Sequence, residues 1–447
     1  MKKQNNLLLG LYTLGLSVML ILRDLAGVSI SKYIIIAYTL VFMAMASYDV
    51  LVYMLCFTFP LACGLPGTYI MLGALVLLII KRKTINFWQL GMLLFVAVAE
   101  VVASFWYPSQ DWVNVVGYIS FAGVMMLLIH DNKEVDAEHC IRLYLYGVIL
   151  LCGVIMIATL EDAPSDWLTR FARGAFRFGE KHSVDMEGMM LSLNANSLAY
   201  YSITGIACGI FCAERSKGLQ RLLYIAMGVF SAVVGFLTVS RSWVLVAVIC
   251  LLLYILSKLR SPKQFLTLAM VLGVLVAVGY AFLTKNPELM NGFVVRFEDD
   301  TVESGGGRTK MFLLYMNAFL DNPRAVLMGA GVTQYKTQFD VVGSVHNGTQ
   351  QILVCYGIPG FIIMMVGLVR PIFAALGAGK GKRTVINWLP ILGVVLFVQT
   401  IQFLNPLMLM LPYVIGIYAL RAGGKSNENL SDNRGHGGGQ SLGLGAR

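Results

Sequence analysis

Apolar residues arrive along this chain in long blocks, at about 7–22, 33–47, 50–64, 67–80, 88–105, 112–129, 141–160, 194–212, 222–238, 243–257, 265–283, 349–369, 385–403 and 407–420. A helix needs about 20 mostly apolar residues to cross the hydrocarbon core of a bilayer. The pattern therefore predicts an all-α, polytopic membrane protein of about 14 transmembrane helices (range about 12–14), several of them short. Met1-Lys2-Lys3 leads straight into the first block with no A-x-A-like site after it, so the first span reads as permanent. The run Pro60, Gly64, Pro66, Gly67 marks a tight turn or a broken helix.

The blocks are interrupted in two places by segments too long for connectors, 161–193 and 284–345. Long loops in a compact protein usually carry function. The short loops on the opposite side are uniformly basic, with Lys81-Arg82-Lys83, Arg215, Lys217, Arg221, Lys258, Arg260, Lys380, Lys382 and Arg383 among them. By the positive-inside rule that side is cytoplasmic, both termini lie on it, and the two long loops face outward. Residues 1–421 form the membrane domain. The Gly-, Ser- and Asn-rich segment 422–447 reads as a disordered cytoplasmic tail.

Composition agrees. Of 447 residues, 57% are hydrophobic and 13% charged, against about 25% charged in an average soluble protein. A soluble enzyme, a disordered protein and a nucleic-acid-binding domain are excluded. The formal charge of +10 reflects basic cytoplasmic loops and not nucleic acid. The eight cysteines fall almost entirely in or near apolar blocks, with no C-x-x-C spacing and no disulfide framework.

Candidate chemistry collects in the outer segments. Trp167, Leu168, Phe171, Ala175 and Phe178 recur at helical spacing, with Arg170, Arg173 and Arg177 on another face. That pattern predicts an amphipathic helix on the membrane surface. Its arginines serve as headgroup anchors or as contacts to a phosphorylated lipid. Asn194-Ala-Asn196 opens a span, where Asn caps a helix or meets substrate. Arg241 stands at the outer turn before the next span, suited by its planar fork to an anionic group. Ser304-Gly305-Gly306-Gly307-Arg308 precedes a periodic stretch that ends at Asn322-Pro323, which predicts a helix over about 308–321. Gly329-Ala330-Gly331 makes a turn. His346-Asn347 then stands at the mouth of a span that Gly357, Pro359 and Gly360 should kink. Glu100 is a carboxylate inside a span, a substrate contact or an internal partner. No second His, Asp or Glu is spaced to build a metal site with His346.

These motifs resemble a known family. Arg241-x-x-x-Leu245 looks like the R-x3-L element of O-antigen ligases and Wzy-type polysaccharide polymerases, and His346-Asn347-x9-Gly357 looks like their H-x10-G element. The stretch from Gly307-Arg308 to Gly331 resembles the segment between those elements, with Phe312 where the pattern has Leu. The resemblance covers roughly residues 190–370. It implies a GT-C-like membrane glycosyltransferase of the bacterial inner membrane, working on the periplasmic or extracellular face. The implied donor is a glycan on undecaprenyl diphosphate and the acceptor a second lipid-linked glycan, with no cofactor. Implied roles are His346 as base and Arg241, Arg308 and Arg296 on the diphosphate. Asn196, Asn347, Glu100 and the three arginines Arg170, Arg173 and Arg177 are further contacts. A polymerase is the first expectation, with a chain-length regulator as its partner. A ligase acting on lipid A–core is the alternative within the family. A lipid-linked glycan flippase is the rival from another class, disfavoured because no internal repeat is visible.

Overall fold

The computed structural model describes residues 2–82, 84–106, 112–131, 135–162, 193–259, 308–341, 343, 345–377, 384–404 and 407–423, with scattered positions in 164–178 and 266–294. Most of the expected helix at 167–178 and much of the span at 265–283 lie outside the described residues, as do Arg296, the glycines 304–307 and most of the tail.

Helices make up the described chain: α1 (Lys2–Asp24), α2 (Lys32–Met45), α3 (Tyr48–Thr58), α4 (Gly67–Arg82), α5 (Phe87–Trp106), α6 (Trp112–Ile129), α7 (Ala137–Asp162), α8 (Ala195–Glu214), α9 (Gly218–Leu237), α10 (Arg241–Lys258), α11 (Arg308–Leu320), α12 (Pro323–Met328), α13 (Tyr335–Gln338), α14 (Gly348–Gly377), α15 (Val385–Val398) and α16 (Pro412–Ala422). Among the described residues seven of these are long and apolar enough to cross a membrane, and four shorter apolar helical segments accompany them. The protein is a polytopic membrane protein.

Local sequence explains the ends. The Asn194 side chain accepts from the N–H of Ser197 at 2.9 Å and starts α8. Asn322 caps α12 in the same way, with Pro323 in the first helical position where no N–H is needed. α8 packs closely on α9: a Cβ on Gly209 would stand 2.9 Å from the Gly228 Cα, so glycine lets these backbones approach.

The Pro60–Gly67 region is a broken helix and not an exposed turn. α3 passes into a 3-10 segment, Phe59–Gly64, that is wholly buried against α7. A second 3-10 segment, Leu407–Met410, packs on it and precedes α16. Such buried irregular backbone must find partners inside the protein. Two tyrosines of α8 supply them: Tyr201 donates to the Met408 carbonyl and Tyr200 to the Leu409 carbonyl, each at 3.2 Å.

At the end of the bundle away from His346 the basic residues pair with carboxylates. Arg82 and the Tyr48 hydroxyl both reach Asp131, Arg142 and Arg215 share Glu138, and Lys258 and Tyr254 share Glu214.

Candidate active site at the His346 end

The site is built around a break in α14. Asn347 caps this helix, its side-chain oxygen Oδ1 accepting from the N–H of Gln350 at 2.9 Å, so His346 stands just ahead of the first turn. Ten residues on, Gly357 leaves helical geometry (φ 66°, ψ −178°) and Pro359 follows. Proline has no N–H, so the Cys355 carbonyl four residues earlier has no helical donor. The break at Gly357 likewise frees the Val354 carbonyl. Both are taken by one loop: Ala330 donates to Val354 and Gly331 to Cys355, each at 3.0 Å. The approach needs glycine on both sides. Gly329 (φ 77°) lies on the Cys355 carbonyl, and a Cβ on Gly357 would stand 2.8 Å from the Gly329 nitrogen.

Glu100 completes this joint. It is fully buried on α5, and its carboxylate accepts from the N–H of Val332 (2.9 Å), the N–H of Thr333 (3.1 Å) and the Thr333 hydroxyl (2.7 Å). Both oxygens thus hold the loop, the internal role that the sequence left open beside substrate contact. Asn347 also has internal partners: one end of its amide caps α14, and the other donates to the Gln399 carbonyl at 3.3 Å.

The second half of the site is the turn between α9 and α10. Val239, buried and β-branched, adopts φ 51° there, a left-handed conformation that costs energy in such a residue. Ser240 on its far side donates to the Asn196 side chain at 3.0 Å, so Asn196 braces this turn. Trp243 is anchored from its indole N–H to the Ser202 hydroxyl at 2.9 Å. Arg241 and Ser242 open α10 between these anchors.

α11 brings the two halves together. Arg308, in its first turn, donates from Nη1 to the Ser242 hydroxyl at 3.1 Å. Further along, the Phe312 carbonyl accepts from the Gln350 side chain of α14 at 2.7 Å. The segment returning to His346 is held by Tyr315, whose hydroxyl donates to the Gly343 carbonyl at 2.9 Å and whose ring packs on Tyr335 and Phe339. Buried Gln351 ties in the α15–α16 connection, accepting from Phe403 and Leu404 at 2.8 Å each.

His346 is half-buried. Burial, then the positive charges of Arg308 and Lys336, hold its imidazole below the ordinary histidine range. The ring is thus neutral, and able to accept a proton, at physiological pH. Lys336, exposed on α13, was not signalled by the sequence motifs. Ser242, Gln350 and Gln351 were missed as well. Among the described residues no three His, Cys, Asp or Glu side chains converge on one point. Arg296, Arg170, Arg173 and Arg177 lie outside the described residues.

Residues 226–365 match a family model described as O-antigen ligase. This segment of the chain is similar to that family. The matched stretch runs from α9 into α14 and contains Arg241, Arg308, Gly329, His346 and Gly357, while Glu100 reaches it from α5. No match to a curated protein was found. That similarity supports a membrane enzyme of the glycosyl-transfer type.

Proposed function

We propose that the protein polymerises lipid-linked oligosaccharide repeat units into a surface polysaccharide, such as O-antigen, capsule or exopolysaccharide, on the outer face of the bacterial cytoplasmic membrane. The observation that carries this reading is the meeting of Arg308, Ser242 and His346 at one end of the bundle. The donor is a glycan on undecaprenyl diphosphate. The acceptor hydroxyl of a second lipid-linked unit loses its proton to His346 and attacks the anomeric carbon, and the diphosphate leaves with the bonding electrons. Arg308 and Arg241 stabilise the charge that grows on the leaving phosphate, where fixed donors act most strongly. Arg296 is a reserve for that role. No metal or cofactor takes part.

The family description favours a second reading, transfer of a finished polymer to an acceptor such as lipid A–core. Incubation of the purified protein with a lipid-linked repeat unit separates the two. A ladder of lengths supports polymerisation. Product only after lipid A–core is added supports ligation. No transfer, with movement of the lipid across vesicles, supports a flippase and overturns both.

A further inference from the structure

We propose that α11 and α12 form a hairpin resting on the bilayer surface at the His346 end, its outward apolar residues seated at the level of the lipid headgroups.

The starting point is α5, whose two faces differ sharply. Met92, Val96, Glu100 and Ala103 are buried, whereas Phe87, Leu90, Leu94, Val98 and Phe105 recur at helical spacing and are exposed. An exposed apolar stripe along a membrane span faces lipid. It ends at Phe105 (73% exposed) and Trp106 (51% exposed), the residue type enriched where hydrocarbon gives way to water. There the surface does not stop. The Arg324 guanidinium lies over the Trp106 ring, 5.4 Å from its centroid, and Val102, Trp106, Arg324 and Met328 line one small cleft. Leu327 (64% exposed) and Met328 carry the apolar surface along α12, and Leu320 (61% exposed) and Leu313 (54% exposed) carry it along α11.

Leu313 and Leu320 are seven residues apart and share a face of α11. The opposite face is already used, with Tyr315 and Phe319 buried in the protein. A helix in water has no reason to keep a second apolar face, and such a patch marks an interaction surface. Continuity with the lipid-facing stripe of α5 identifies the partner as the bilayer. Thr309 and Asn317 share the outward face of α11, which is too polar for the hydrocarbon centre and suits the headgroup boundary. Lys310 and Arg324 flank it and complement lipid phosphates, and Arg324 sets its guanidinium over the Trp106 ring. The hairpin begins at Arg308, so its seating sets the height of that guanidinium above the membrane.

The test uses the full chain with single cysteines at Leu313→Cys or Leu327→Cys, labelled with the fluorophore NBD. The native cysteines are all buried, and unsubstituted protein serves as the blank. Both positions are exposed, so the fold is kept, which a monodisperse elution profile checks. In phosphatidylethanolamine–phosphatidylglycerol vesicles, lipid bearing a doxyl group near the headgroup should reduce emission at both positions. Lipid with doxyl at the chain end should reduce it less, and iodide in the buffer should reduce it less than it does for free dye. Quenching by iodide to the level of free dye, without quenching by doxyl lipid, would overturn the proposal and leave the patch for a protein partner. Doxyl quenching at only one position would overturn the hairpin as a unit. None of these outcomes depends on glycosyl transfer.

Discussion

Arg308 and Ser242 are joined by a hydrogen bond of 3.1 Å across 66 residues of sequence. It fastens the first turn of the loop helix α11 to the first turn of α10, beside Arg241. The arginine is thereby aimed before any ligand arrives. Replacing Arg308 by Ala should weaken donor engagement by about one to two orders of magnitude, the loss of one charge-assisted hydrogen bond of about 1.5–3 kcal/mol. Lys should rescue poorly because it lacks the fork. Donor titration of the three proteins checks this, and full rescue by Lys would argue against bidentate phosphate contact. Ser242→Ala should leave the charge in place and produce a smaller loss.

His346→Ala should lower transfer by on the order of 10²–10⁴-fold, the usual contribution of a general base. Expression and donor binding should be retained. A rate equal to that of the unsubstituted enzyme would remove His346 from the mechanism.

The acid limb of the rate profile should report the same residue. His346 is held below the ordinary histidine range by burial, Arg308 and Lys336. The base is therefore available above its lowered pKa, and activity falls as pH drops through that value. Lys336→Gln removes one positive charge, favours protonation and moves the acid limb to higher pH. An unmoved limb, measured as kcat against pH, would show that another group titrates.

Glu100→Ala leaves the buried Val332 N–H without its acceptor, at about 1–3 kcal/mol, and removes the carboxylate from two part-buried donors of Thr333. A marked drop in Tm is expected. Glu100→Gln should also be costly, since its amide turns a donor toward donors. Thr333→Val removes one hydroxyl and should cost only about 1 kcal/mol. Thermal unfolding in detergent ranks the three, and equal Tm values would refute the clamp.

Gly357→Ala should destabilise by more than the roughly 1–2 kcal/mol of left-handed backbone in an L-residue, because its Cβ would also meet the Gly329 nitrogen at 2.8 Å. Protease sensitivity of the 329–345 segment should rise. An unchanged digestion pattern would mean that the loop does not depend on this contact.

Much of this architecture is written locally in the sequence. The apolar blocks mark the spans, Asn322-Pro323 separates α11 from α12, and Gly329 and Gly331 announce positive φ. The break in α14 was legible from Gly357 and Pro359 because proline's missing donor acts on its own helix. The role of Glu100 was not legible, since its partners are backbone N–H groups more than 200 residues away. Backbone donors carry no residue signature. Val239 was equally hidden, because nothing in a β-branched residue announces a left-handed turn that tertiary packing imposes. Lys336 sits on a four-residue helix, too short for a period to be read.

The exchange of hydrogen bonds between Ala330, Gly331 and the bent α14 also bears on how the protein is made. Residues 329–331 are synthesised before the helix they serve. When α14 enters the membrane, its Val354 and Cys355 carbonyls meet lipid unless the earlier segment is waiting, and an orphan polar group in hydrocarbon costs several kcal/mol. The 329–331 segment and the span thus mature as one unit, so a lesion in either should first show as failed biogenesis and degraded protein.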